Sequence, residues 1–260
     1  MSAKNKPTQL SGFLYYCQVI LYLISMDFFE VANKRRSVRK FTKTKVPESV
    51  IRKCLKASLL APNSSNLQPW EFYWIRNPEK KDKIIEACFS QNAAKTAQEL
   101  VVAVSRIDTW KRNRDLIIED YKKRNKLISL VKKYYHQIIP FAYFHDRFGI
   151  SGLIKRIIYI FLNIVGYFKP IPRGPIYKHQ LFETVSKTTA LACQNFMMAL
   201  VAEGFDSCPM EGFDEKRVKK ILHLNWQCHV VMIFGIGQAE KDGIYGDRFR
   251  IDDELVIKEV

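Results

Sequence analysis

Residues 61–75 read APNSSNLQPWEFYWI, a polar, proline-bounded loop running directly into an aromatic and β-branched segment. Pro62 and Pro69 limit how far the loop backbone wanders. Asn63, Ser64, Ser65, Asn66 and Gln68 fill it with groups that donate and accept hydrogen bonds. Trp70, Glu71, Phe72, Tyr73, Trp74 and Ile75 have the composition of a strand. Upstream, Val50, Ile51, Cys54, Leu55 and Leu59 recur at helical spacing between Pro47 and the break at Pro62, so a helix delivers the loop. The local order is helix, loop, strand. Such a loop suits a planar polar ligand, but taken alone it reads as an ordinary capped connection; its neighbours decide.

Working outward, residues 27–34 predict a short helix with Phe28, Phe29 and Ala32 on one side, followed by the basic run Arg35-Arg36-Ser37-Val38-Arg39-Lys40-Phe41. Beyond the strand, Asn77-Pro78-Glu79 opens a helix through Ile84, Ile85, Cys88 and Phe89, and residues 100–105 read as a buried strand. From Thr184, a helix carrying Val185, Thr189, Leu191, Ala192, Phe196, Met197, Leu200 and Val201 is apolar on most sides and therefore central. Gly204 stops it. Then come Pro209-Met210-Glu211-Gly212-Phe213-Asp214, a helix over 214–222, an almost wholly apolar strand over 229–234 that suits an internal position, and a tail with Arg248-Phe249-Arg250.

Three of these pieces, the Arg-x-Ser-x-Arg segment at 35–39, the Pro-x-x-x-Asn-x-Gln-Pro-Trp segment at 62–70 and the Pro-x-Glu-Gly segment at 209–212, stand in an order that resembles the nitroreductase family of FMN-dependent oxidoreductases. The resemblance covers residues 27–105 and 184–260. It implies an α+β, nitroreductase-like fold, with a central, mainly antiparallel sheet flanked by helices, in an intertwined homodimer with FMN at the subunit interface. It implies hydride transfer from NAD(P)H to a small-molecule acceptor such as a nitroaromatic or quinone, with ping-pong kinetics.

Carried over residue by residue, Arg35, Arg36, Ser37 and Arg39 would hold the flavin phosphate and ribityl chain. Arg248 and Arg250 would reach the phosphate from the tail. Pro62, Asn63, Ser64 and Asn66 would come from the other subunit, and Pro209, Glu211 and Gly212 would lie along the isoalloxazine ring. Asn92, Lys95 and Thr188 complete the implied cofactor set. A cation at the pyrimidine end, Arg36 or Arg39, would stabilise negative charge at N1 and the C2 oxygen. Gly212 would let a main-chain N–H approach N5. No side chain is expected to act as a catalytic acid or base, because the flavin carries the redox chemistry.

Composition bounds the rest. A chain of 260 residues with 47% hydrophobic content buries a full core as one large domain or one domain with an insertion. The net charge of +16 is concentrated: residues 106–178 hold 16 Lys/Arg against 5 Asp/Glu, a local excess of +11. Six scattered cysteines without a Cys-x-x-Cys pair suggest reduced, buried thiols in a cytoplasmic setting. The histidines show no ligand spacing, so no metal is expected. Neither a Gly-x-Gly-x-x-Gly nor a Gly-x-x-x-x-Gly-Lys-Ser/Thr segment occurs, so a flavin phosphate would have to be held by arginines.

Two segments keep alternatives open. Residues 10–26, LSGFLYYCQVILYLISM, form an uncharged run that is marginal for a spanning helix. Residues 1–25 are read as an apolar extension from an upstream start, with a membrane anchor as the other reading, and 26–260 as a single FMN-binding domain. Its basic helical insertion, at about 106–182, contains an uncharged stretch over 157–168 that suits a helical excursion packed on the dimer, a lid over the site, or contact with an anionic membrane surface. Nucleic-acid binding by the basic, aromatic segment 121–148 lacks any supporting motif. A flavin-binding protein without turnover is the remaining alternative.

Overall fold

A computed structural model describes residues 26–171 and 174–260; the expectations for residues 1–25, and Cys17 with them, lie outside the described residues. The sheet is built from β1 (Trp70–Trp74), β2 (Glu99–Arg106), β3 (Asp206–Met210) and β4 (Cys228–Gly237) in the order β1-β2-β4-β3, and every neighbouring pair is antiparallel. The fold is α+β, with β1 and β3 at the edges.

Both faces of the sheet are covered, which explains why β2 is buried at six consecutive positions. Side chains alternate along a strand, so Leu100, Val102 and Val104 enter one core while Val101 and Ala103 enter another. The first core is closed by α3 (Pro78–Ala87), the short α4 (Asn92–Lys95) and α10 (Glu215–Ile221), through Ile84, Ala93, Ala94 and Val218. The second is closed by α2 (Glu48–Ser58) and the long α9 (Lys178–Ala202), through Ile51, Cys54, Phe196 and Leu200.

Local chemistry sets the helix ends. Asp27 caps α1 (Phe28–Lys34), Asn77 caps α3 and Asp214 caps α10, each accepting a backbone N–H with its side chain. Gly204, at φ +78°, follows the end of α9. One expectation is corrected at α1. Val31 is its buried residue, whereas Phe28 and Phe29 are exposed and meet edge to face at 5.7 Å, so α1 turns Val31 inward and leaves both phenylalanines in solvent.

Between β2 and α9 the chain runs through α5 (Trp110–Lys123), α6 (Ser129–Lys133), a π-turn (Tyr134–Ile138), α7 (Ile139–Tyr143) and α8 (Ile150–Gly166). Pro140, which has no N–H to give, sits just past the widened turn. A third core joins Ile107, Trp110, Ile117, Tyr135, Ile139 and Tyr143 to Leu67 of the polar loop and Leu181 and Val185 of α9. At its seam with the sheet, the Arg106 guanidinium donates to Asp108 and to Glu71, both at 2.7 Å, while Tyr73 also donates to Glu71 and Asn225 to Asp108.

Candidate functional site

The basic run is pinned at the open edge of the sheet. Val38 N–H donates to Ser207 O at 3.1 Å, setting Ser37 beside Ser207 in a parallel bridge, and Phe41 bridges Ala239. The chain after β4 then folds back along the same run. Arg39 N–H donates to Gly243 O at 2.7 Å, Lys40 pairs with Asp242 at 2.9 Å, and Arg36 donates to Gly246 O. Arg248 Nη2 donates to the carbonyls of Asn33 and Arg35, each at 2.7 Å. The result is a cavity of ≈ 320 Å³ in which Arg35, Arg36, Ser37, Arg39, Arg248 and Arg250 share the lining with residues 244–247 and Phe249.

Five arginines line this cavity against one acidic residue, Asp247. Burial, and then the positive charges of Arg248, Arg250 and Arg36, hold the Arg35 guanidinium below its ordinary pKa. Such a surplus is relieved by a bound anion, and planar guanidiniums suit a phosphate through paired charge-assisted hydrogen bonds.

Beside the cradle, α4 acts as a clamp between two motif segments. Thr96, just past its end, accepts from Phe41 N–H at 3.0 Å and donates to Asn92 O at 2.7 Å. Gln91, just before its start, donates to Gly212 O at 2.9 Å. Ala93 and Ala94 are buried, and the close approach of α4 to β4 depends on Gly235, where a Cβ would fall 2.0 Å from Ala93 O. Asn92 and Lys95 are exposed on the other side. Pro209 lies in β3 opposite Phe234, and Glu211 and Gly212 are exposed just beyond. A Cβ added at Gly212 would meet only Gln91 Nε2, at 3.9 Å, so a flat ligand has room to approach that backbone.

The polar loop lies elsewhere. Its tip is a 3₁₀ turn, Ser64–Asn66, and Ser65, Asn66 and Gln68 adopt φ of 58°, 53° and 46°. That left-handed backbone costs free energy for residues other than glycine and persists where the surroundings over-determine it. Here the surroundings are visible. Ser65 Oγ meets Tyr134 OH at 2.6 Å, Tyr135 OH donates to Ser65 O at 3.0 Å, Asn113 Nδ2 donates to Leu67 O at 2.8 Å, and Gln68 N–H donates to Asn63 Oδ1 at 2.9 Å. Asn66, Gln68 and Trp70 border an open groove of ≈ 790 Å³ with Arg112, Asp120 and Arg124 on its other wall.

The structure therefore brings together Arg35, Arg36, Ser37, Arg39, Arg248 and Arg250, and ties Asn92, Lys95, Pro209, Glu211 and Gly212 to them through α4 and β3. It does not bring Pro62, Asn63, Ser64 and Asn66 to that cluster: the groove beside the loop and the basic cavity share no lining residue. Thr188 is buried within α9 and lines neither. Sequence reasoning missed Tyr245, whose ring lies 5.6 Å from the Arg39 guanidinium, as well as Gln91 and Thr96. It also missed Tyr134 and Tyr135, whose hydroxyls hold the loop; only an unexplained pair of adjacent tyrosines signalled them. Among the described residues, no group of His, Cys, Asp and Glu is placed to hold a metal ion.

Comparison with known proteins places this geometry in context. The sequence profile described as the nitroreductase family matches residues 32–238. A Thermus thermophilus protein named NADH dehydrogenase is 26% identical over 227 residues, covering 87% of this chain and 94% of the relative. The Bacillus subtilis protein YdgI, assigned as an NAD(P)H nitroreductase, is 27% identical over 229 residues, covering 87% and 95%. Among solved structures, an Exiguobacterium sibiricum protein assigned as a nitroreductase and crystallised in complex with FMN superposes with a TM-score of 0.65 at 20% identity, covering 90% of this chain and 98% of the other.

Proposed function

The chain belongs to the nitroreductase family, and on that premise we propose that it works as a homodimeric FMN-dependent oxidoreductase, taking electrons from NAD(P)H and delivering them to a small organic acceptor such as a nitroaromatic or a quinone. The observation that carries this reading is the meeting of the arginine cradle with the Glu211–Gly212 edge through the Ser37–Ser207 bridge. It sets an anion site of the right charge for one phosphate beside a backbone open to a flat ring.

FMN, when bound, would supply the redox chemistry by accepting a hydride equivalent from NAD(P)H and passing it on to the acceptor. The chain's own residues bind and orient. Arg35, Arg248 and Arg250 hold the phosphate, and Ser37 adds a hydroxyl. Arg36 or Arg39 sets a positive charge toward the pyrimidine end, favouring the reduced ring. Gly212 leaves the main chain free to approach. Asn92 and Lys95 flank the same edge.

Support for a dimer comes from the separation of the two cavities. Pro62, Asn63, Ser64 and Asn66 do not line the cradle of their own chain, and in this reading a second copy supplies them. NAD(P)H and the acceptor use one pocket in turn, which gives parallel double-reciprocal plots. The five described cysteines are free and buried, and burial pushes the thiols of Cys54, Cys88 and Cys193 up to about 12, which leaves them protonated and unreactive.

The visible spectrum of the purified protein tests the reading. A flavin spectrum that bleaches anaerobically with NADH or NADPH and returns on addition of a quinone or nitroaromatic is expected. A colourless protein that takes up no FMN from solution overturns it, and intersecting double-reciprocal plots overturn the shared pocket.

A further inference from the structure

Helix α8 is turned inside out. Around its circumference, Leu153, Ile157, Ile160, Phe161 and Ile164 fall on one side and are exposed, with Phe161 67% accessible, while Ser151, Gly152, Lys155 and Tyr159 are the buried residues. A helix resting on a water-soluble core shows the opposite arrangement. The orientation is fixed by the inward groups: Lys155 Nζ donates to Ala142 O at 3.0 Å, and Tyr159 OH accepts from Gly174 N–H at 2.8 Å. Rotating the apolar side inward would strand both.

The surroundings specify what covers that face. From residue 147 to 182 the sequence carries six Lys/Arg and no Asp or Glu; of these, Lys155 is turned inward, and Arg147, Arg156 and Lys169 are exposed. The acidic residue just before it, Asp146, is taken up by the backbone N–H groups of Phe148, Ile150 and Ser151 at the start of α8. Phe148, Tyr167 and Phe168 project at the two ends of the helix, each more than 85% exposed (86%, 88% and 87%). An apolar stripe with a basic, acid-free rim and aromatic ends complements an anionic lipid surface. It does not complement a second copy of this chain, because like-charged rims would meet. Among the described residues no helix is long and apolar enough to cross a membrane, and the 17 residues of α8 extend roughly 25 Å, short of the ~30 Å hydrocarbon core.

We propose that α8 is a membrane-docking element that lies in the interface of an anionic bilayer, its Leu153–Phe161–Ile164 side among the acyl chains and its cations at the headgroups. No residue of α8 lines the arginine cavity, so this surface is tested apart from the oxidoreductase reading.

The test is co-sedimentation of the full chain with phosphatidylglycerol-containing or pure phosphatidylcholine vesicles, at low and high salt. The wild type is expected to favour the anionic vesicles and to lose that preference as salt rises. The double substitution Ile157→Glu/Phe161→Glu should lower binding by about tenfold or more, and Arg147→Glu/Lys169→Glu by about fivefold for each cation removed. These positions are exposed, and circular dichroism checks that each variant is folded. In addition, Phe161→Trp should add an emission component quenched by brominated acyl chains beyond any quenching of the wild type with its four tryptophans, the difference reporting on α8. Equal binding to both vesicle types, binding to neither, or binding unchanged by Ile157→Glu/Phe161→Glu overturns the proposal. So does a change of oligomeric state in that variant, which would assign the face to a second copy.

Discussion

Tyr134 OH and Ser65 Oγ meet at 2.6 Å across 69 residues of sequence, so the polar loop ahead of β1 is held in its left-handed conformation by the helical segment that follows β2. Removing that contact tests how far the loop depends on it. Tyr134→Phe should lower stability by about 0.5–1.5 kcal/mol and weaken FMN retention, read from urea unfolding and from flavin released on gel filtration. A variant matching the wild type in both would show that Tyr135, which donates to Ser65 O, holds the loop by itself.

The two tail arginines should separate binding from folding. Among the described residues Arg250 donates only to the neighbouring Phe249 O, whereas Arg248 ties together the carbonyls of Asn33 and Arg35. Arg250→Ala should therefore cost about 1.5–3 kcal/mol of FMN affinity and change unfolding by no more than about 0.5 kcal/mol. Arg248→Ala should lose both. Fluorescence titration of the apoprotein with FMN, alongside thermal melts, distinguishes them; equal losses of stability would contradict the assignment.

Gly235→Ala is expected to be severe. The added methyl would lie 2.0 Å from Ala93 O, a backbone atom in the helix that positions Asn92 and Lys95, so α4 must move or β4 must bend. A cost of about 3 kcal/mol or more follows from overpacking at a site that cannot relax. Urea midpoints measure it, and a cost below about 1 kcal/mol would mean that α4 is not locked to the sheet.

Asp108 governs part of the acid limb. Burial tends to raise its pKa, but the two-point hydrogen bond from Arg106 and the one from Asn225 more than offset this, and the carboxyl is held below its ordinary value. A pKa lower in the folded than in the unfolded chain gives stability that is present above the unfolded value, about 3.9, and is lost as pH falls through the folded one. Asp108→Asn should thus destabilise by about 1–3 kcal/mol at neutral pH, with the gap to the wild type closing as pH falls below the unfolded value. A gap that is constant with pH would remove the ionised carboxylate from the account.

Dilution should release flavin. If the polar loop reaches the cradle only from a second copy, subunit dissociation and FMN loss follow one concentration dependence, which analytical ultracentrifugation with flavin detection records. A monomer that retains FMN would rule out an interface site.

Much of this was legible along the chain. The helix–loop–strand order around residues 61–75, the caps at Asp27, Asn77 and Asp214, the stop at Gly204 and the buried β2 and β4 all follow from local composition, because capping and side-chain alternation involve residues a few positions apart. The three motif segments could be recognised for the same reason. Phe28 and Phe29 could not be placed: their spacing with Ala32 marks a helical side, yet only the position of α9 decides that Val31 faces inward. Nor could the positive φ at Ser65 and Gln68 be read, since tyrosines from a distant segment sustain it.

By itself the sequence determined most of the elements outside residues 106–178, though not the edge strand β3, and marked the arginines and polar residues proposed to meet a phosphate and a ring. Tertiary structure decided which of those residues meet. It folded the chain after β4 back over residues 35–40 to gather five arginines, left the polar loop on a different cavity, and turned the apolar side of α8 outward while its lysine and tyrosine found partners within. The physical reason is the range of the forces. Hydrogen-bonded caps and strand periodicity act between near neighbours, whereas burial and charge accumulation depend on whatever the folded chain brings within a few ångströms, however far apart in sequence.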